Sequence, residues 1–352
     1  MPPLIEIKPV DRDFYESRIR DFLPDRIIDV HAHVWVGGRL GDADATAGRV
    51  VTWPARVAAE NPVEHLLETY RLLLPGKSVT PLIFSNPTVC DALDALNRYV
   101  IDSAARHRLP ALALTTPDWT AEQFEERIAG GGLLGAKAYL TFAPARIAAD
   151  EIRIYDFLPP HQLEVLDRRG WIAMLHVPRP LRLRDPANLA QMVEIEQRYP
   201  NVKVIVAHVG RAYCIEDVGS AFEALADTRR MCFDISANTN AEVFRRLLDA
   251  VGPKRVLFGS DMPILRMRMR RTCEDGRYVN LVPAGLYGDV SDDPHMREVE
   301  GEDAERLTFF LYEEIAAFRR AADAAGLTPL DVEDVFHNNA RRLLDDLASP
   351  PR

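Results

Sequence analysis

The chain has 352 residues, 47% hydrophobic and 27% charged, a composition that excludes extended disorder and can bury a large core. A formal net charge of −10 argues against nucleic acid or an anionic membrane surface as the main partner. No apolar run nears the roughly 18 residues of a membrane span, "MPPLIEIKPVDRDF" lacks a signal-peptide block, and four cysteines without a CxxC pair suggest neither a disulfide framework nor a thiolate zinc site, so a reducing cytoplasm is expected.

Residues 1–25 read as an N-terminal extension of one domain spanning 1–352. Eight short apolar runs follow: "RIIDVHAH", "SVTPLIFS", "LPALALTTP", "LLGAKAYL", "WIAMLHV", "VKVIVAHVG", "MCFDISA" and "RVLFGSDMP". Several are apolar on both faces, as strands covered on both sides are. Segments of helical period separate them, among them 90–107, 160–169 and 189–199. This alternation predicts an α/β fold of the (β/α)8 TIM-barrel type, with a doubly wound open sheet as its competitor. Two insertions exceed a minimal barrel, 37–77 after the first strand and 262–306 after the eighth, the latter with little regular pattern, and such loops build or cover active sites. The closing "TPLDVEDVFHNNARRLLDDL" predicts two short helices, with Thr328 or Asp331 as a cap.

Barrel chemistry sits at the carboxyl ends of strands, so the polar residues there are the candidates. Strand one offers Asp29, His31 and His33, placed on one face by strand alternation. Strand four offers Lys137 and Tyr139, strand five His176, strand six His208 and strand eight Asp261. Singly, each has an ordinary account as a hydrogen-bonded core, cap or turn residue. Together, imidazoles and a carboxylate are costly to bury unpaired, and one divalent ion would satisfy them. The nitrogen and oxygen donors suit Zn²⁺, with Mn²⁺ or Fe²⁺ as alternatives. Asp29 either orients a ligand or makes a core contact.

"DVHAHVW", "LHVPRP", "VIVAHVGR", "LFGSDMP" and "NNARRLL" together resemble the amidohydrolase superfamily. Within it they are most similar to the amidohydrolase 2 branch, which holds metal-dependent hydrolases and the α-amino-β-carboxymuconate-semialdehyde decarboxylase group. The resemblance spans about 26–345 and implies that His31, His33, His176 and Asp261 bind one metal, with His208 beside it as general acid/base. It implies the same barrel, and a homodimer is allowed because related proteins often pair. Some superfamily members carboxylate a strand-four lysine to bridge two metals. The branch commonly uses one, so Lys137 is expected to contact a substrate anion or an ion pair. "NNARRLL" departs from the more usual Gly-Asn-Ala start, and the arginine-rich segment after strand eight lies outside the common pattern.

A metal held this way activates water for hydrolysis, with Asp261 taking a proton and His208 polarising the carbonyl. The expected activity is hydrolysis of a small acidic lactone, amide or ester. The alternative is non-oxidative decarboxylation with His208 as the acid. A non-catalytic barrel would be expected to have lost ligands, and none of the five is missing. Arg179 and Arg211 follow His176 and His208 and have the planar fork that suits a carboxylate. "RMRMRRTCEDGR" adds Arg266, Arg268, Arg270, Arg271 and Arg277; if extended, Arg266, Arg268 and Arg270 share one face, with Arg266 the pocket candidate, although a charge run is usually a solvated face. The glycines at 130–132 precede a strand and read as a turn, and no GxSxG nucleophile occurs. His65, His107, His161, His295 and His337 are assigned surface or packing roles.

Overall fold

The computed structural model describes residues 4–37, 56–86 and 93–348. Eight parallel strands form its centre: β1 Arg26–His33, β2 Ser78–Phe84, β3 Ala113–Leu114, β4 Gly135–Ala138, β5 Ile172–Leu175, β6 Lys203–Val206, β7 Cys232–Asp234 and β8 Val256–Leu257. β1 pairs with β2, and β3 to β8 form a six-stranded sheet in sequence order. Backbone bonds join the two sheets at both edges. Ile83 N donates to Pro110 O and Leu112 N to Ile83 O beside β3, while Val30 N donates to Phe258 O and His33 N to Met262 O beside β8.

Successive strand residues supply two different cores. Ile172, Met174, Ile205 and Leu257 pack with Ile28, Val30, Leu82 and Phe84, and Leu343, Leu344 and Leu347 of the C-terminal helix Asn339–Ala348 cover them. The alternating Ala173, Leu175, Val204 and Val206 pack instead with Phe124, Leu163, Leu166 and Met192 of the helices between strands. Each aliphatic side chain so buried contributes about 1.5–3 kcal/mol. Helices Leu93–His107, Pro160–Arg169 and Pro186–Arg198 occupy the expected segments. The expected helix start at Cys90 and residues 38–55 of the first insertion lie outside the described residues. Thr328 caps the turn Pro329–Glu333 by accepting from Asp331 N.

Two expectations change. The second insertion is not irregular: β9 Arg270–Glu274 and β10 Arg277–Pro283 form a hairpin, and β11 Met296–Val299 lies parallel to β10. The cysteines do pair, because Cys214 and Cys273, 59 residues apart, form a disulfide with Cα atoms at 5.8 Å. No local motif marks a pairing between a loop after β6 and a hairpin after β8. The argument for a reducing compartment from unpaired cysteines thereby loses its support. No helix among the described residues is long and apolar enough to cross a membrane.

The disulfide anchors the hairpin to the strand-end face. Peptide mapping without reductant should recover Cys214 and Cys273 in one cross-linked species. Cys273→Ser should lower the melting temperature by several degrees, since freeing a loop of this length restores about 4 kcal/mol of denatured-state entropy. Alkylation of both thiols without reduction would remove the tether.

Candidate metal centre

The carboxyl ends of the strands open on a cavity of about 700 Å³. His31 and His33 reach it from the end of β1, where pairing with β2 shifts register between Asp29 and Ala32. That shift corrects the expectation that Asp29 shares their face. Its carboxylate instead accepts from Tyr70 Oη of the helix Val63–Leu73 at 2.6 Å, from Ser260 N at 2.9 Å and from His31 N at 2.9 Å. Asp29 thus fixes the backbone of one metal candidate and of the residue before another, Asp261. Burial raises its carboxyl to about 6, against these donors.

The proton positions follow from the partners. His31 Nδ1 donates to Asp234 Oδ2 at 2.9 Å and His33 Nδ1 donates to Ser85 O at 2.9 Å, which leaves both Nε2 lone pairs inward. Those nitrogens lie 3.4 and 3.1 Å from Asp261 Oδ1. At His33 this sets acceptor against acceptor, an arrangement that a cation resolves, whereas His31 Nε2 also faces the Lys137 amine at 3.2 Å. One nitrogen from each of His31 and His208 and one Asp261 oxygen lie within 4.8 Å of one another. Burial, then the Lys137 charge, pushes His31 well below the usual imidazole value; burial and Arg211 do the same for His176, and burial lowers His208. Burial pushes Asp261 up, but the facing His208, His33 and His31 outweigh it and hold the carboxyl below its ordinary range. Neutral imidazoles around a carboxylate are the donor chemistry of a zinc-type site.

His176 lies against Tyr139 and His208, with ring centroids at 4.4 and 5.2 Å, and its buried Nδ1 has no hydrogen-bond partner among the described residues. His208 Nδ1 meets Ser236 O at 3.2 Å and Ser236 Oγ at 2.8 Å. Lys137, buried on β4, reaches His31 Nε2 at 3.2 Å, and burial lowers its amine to about 8 against the pull of Asp234 and Asp261. His208 begins four consecutive residues with left-handed φ: 57°, 50°, 62° and 62° through Arg211. His208 and Arg211 both line the cavity. Left-handed backbone costs about 1–2 kcal/mol per non-glycine residue, and Val209 is β-branched. Asp234 Oδ1 accepts His208 N at 2.8 Å, and Arg211 Nη1 donates to Val177 O and Pro178 O at 3.2 Å each, bracing the turn.

The arginine candidates divide. Arg211 lines the cavity, whereas Arg179 is spent on Ile152 O and Glu151 O of a loop. Arg266 is mostly buried in a short turn, Ile264–Arg266, and is not among the lining residues, and Arg268 pairs with buried Asp11 at 2.6 Å. Arg271 is the member of the run that reaches the cavity, with Arg182 beside it. The turn breaks the extended register on which the choice of Arg266 depended. His295, assigned a packing role, also lines the cavity, its ring stacked on Tyr278 at 4.1 Å. Asp234 was missed at the end of "MCFD", although an acidic residue closing an apolar strand is the same signal that Asp261 gives.

Because Asp234 holds the His31 tautomer, Asp234→Asn should weaken zinc binding by about 10–100-fold. Competition with a chromophoric chelator measures this, and unchanged affinity would exclude Asp234 from supporting the site. Gly259→Ala tests the same packing from outside the donors. An added Cβ would lie 2.8 Å from His31 Cβ and 3.3 Å from Asp234 Cβ, so metal affinity should fall in a folded protein.

Comparison with curated proteins finds no match. Solved structures do match. An amidohydrolase from Burkholderia multivorans with bound zinc superposes with a TM-score of 0.58 at 15% identity, covering 92% of this chain and 99% of that one. A dihydroxybenzoic acid decarboxylase from Polaromonas with bound manganese gives 0.55 at 14%, covering 93% and 98%. A protein from Pseudomonas putida, a candidate 2-pyrone-4,6-dicarboxylic acid hydrolase, gives 0.52 at 16%, covering 92% and 98%. At these identities the likeness is one of fold. Residues 28–284 match the sequence family described as amidohydrolase, Amidohydro_2, and the chain belongs to that family.

Proposed function

We propose that the eight strands close as a (β/α)8 barrel and that the protein is a metal-dependent hydrolase of a small anionic lactone, amide or ester. The observation that carries the reading is the convergence of the His31 and His33 Nε2 lone pairs on Asp261 Oδ1 at the base of a ligand-sized cavity. His31, His33, His176 and Asp261 would hold one divalent ion, zinc in the first instance. Bound there, it supplies Lewis acidity and a hydroxide nucleophile at neutral pH. Asp261 receives the proton of the attacking water as the carbonyl carbon is attacked. Asp261 delivers that proton to the leaving oxygen or nitrogen as the C–O or C–N bond breaks, while His208 polarises the carbonyl. The hydroxyl of Ser236 lies between His208 Nδ1 and Asp234 Oδ1, at 2.8 and 2.5 Å, and steadies that imidazole.

Charge at the cavity wall favours an anion. Arg56, Lys137, Arg182, Arg211 and Arg271 line it against Asp261, Asp292 and Asp293, in a chain of net charge −10. Arg211 is placed to take a substrate carboxylate near His208, and Lys137 and Tyr139 flank it. The same cation excess favours a second reading, decarboxylation of a small ring acid, in which His208 protonates the carbon that loses CO₂. The fold neighbour from Polaromonas is a decarboxylase, which adds to that reading.

The two are separated on one panel of small ring acids and lactones, assayed with zinc- and manganese-loaded protein for acid release and for CO₂. Ring opening or amide cleavage without CO₂ is expected; CO₂ release without hydrolysis would replace the first reading by the second. Asp261→Asn should cut turnover by at least 100-fold while the melting temperature stays within a few degrees. His176→Ala should lose metal and His208→Ala should retain it, and the reverse would exchange their roles.

A further inference from the structure

We propose that the insertion after β8 adds a second anion subsite to the cavity, centred on Arg271, which takes a carboxylate at the far end of a substrate the length of one small ring. It rests on the reading above for the chemistry at the near end. Arg271 of β9 and Arg182 of the loop after β5 both line the cavity, and both sit on the same two rings. Arg271 Cζ is 4.6 Å from the centroids of Tyr213 and of Tyr278, and Arg182 Cζ is 5.2 and 4.9 Å from them. The rings meet edge to face at 5.0 Å. Two guanidinium groups are therefore brought to one aromatic pair at a cavity wall, with one carboxylate, Asp217, beside Arg182, so a further anion is favoured at Arg271.

Each guanidinium is fixed before any ligand arrives. Arg271 Nε donates to Asn280 Oδ1 at 2.8 Å and its Nη1 to Ala237 O, while Arg182 Nη1 donates to Asp217 Oδ2 at 2.7 Å. The Cys214–Cys273 disulfide joins the segment carrying Tyr213 to β9, and Cys273 lies opposite Tyr278 in the β9–β10 register. The Arg271 half of the subsite is thus cross-linked next to the aromatic floor, and the Arg182 half is held by its ion pair with Asp217. Tyr213 lies 6.5 Å from the His208 ring, centroid to centroid, so the subsite begins one ring-width from the reacting end. A ligand with acidic groups at both ends of one ring would reach Arg211 with one and Arg271 with the other.

Calorimetric titration with isophthalate, benzoate and isophthalamide, on zinc-loaded and metal-free protein, tests this. Isophthalate should bind at least tenfold tighter than benzoate, and the uncharged diamide should not. Arg271→Met should bring isophthalate to within twofold of benzoate, with circular dichroism reporting a folded variant. If that protein does not fold, Arg182→Met carries the test with the same expected loss of preference. No isophthalate preference in the wild type, or its survival in the folded variant, overturns the subsite. A preserved preference in a protein that turns over no acid, lactone or amide overturns the hydrolase reading alone.

Discussion

The buried carboxylate of Asp234 is the contact on which the site depends. Oδ2 accepts His31 Nδ1 from β1, and Oδ1 accepts His208 N after β6 together with Ser236 N and Oγ beyond β7. An anion with no solvent exposure is stable only when its acceptor sites are filled, and here four donors from three strand ends fill them. The same bonds that make the charge tolerable set the His31 tautomer and place the His208 backbone. Stability of the core and orientation of the imidazoles are therefore one requirement met by one side chain.

That anchoring also explains how strained backbone persists. The turn from His208 to Arg211 and the backbone of Asp261 all have left-handed φ, a cost of several kcal/mol in total by the usual increment. Asp234 holds the start of the turn and two carbonyls hold the Arg211 guanidinium at its end. Asp261 N donates to His31 O at 2.7 Å, so β1 holds the other strained residue. His208 and Arg211 at the two ends of this turn both line the cavity, so the strained backbone delivers both side chains to it.

The architecture was legible because strands buried on both faces must be apolar throughout, as in "VKVIVAHVG", and their polar end residues then stand out. His31, His33, Lys137, Tyr139, His176, His208, Arg211 and Asp261 all reach the cavity from those positions. What could not be read depended on departures from regular geometry. Asp29 turns from the histidines because β1 slips register after it, and Arg266 is displaced because a turn interrupts the stretch that looked extended. Cys214 and Cys273 meet only through the folding of the hairpin, 59 residues apart. Asp234 was visible as an acid at a strand end, but two of its partners, His31 and His208, come from other strand ends.

The insertion extends the cavity wall beyond what the strand ends supply. The parallel strands deliver imidazoles, a lysine and carboxylates to one point, which determines where a bond is broken but constrains little of what surrounds it. β9 and β10 bring Arg271 and Tyr278 to the cavity, against Tyr213, and add a guanidinium to its wall in an acidic protein. A hairpin anchored only at its ends would leave that wall free to shift, and a desolvated guanidinium misplaced by an ångström loses most of its preference for a planar anion. The disulfide places its covalent link two residues from Arg271 and one from Tyr213, so the stiffest connection in the insertion lies where selectivity, rather than bond cleavage, requires it.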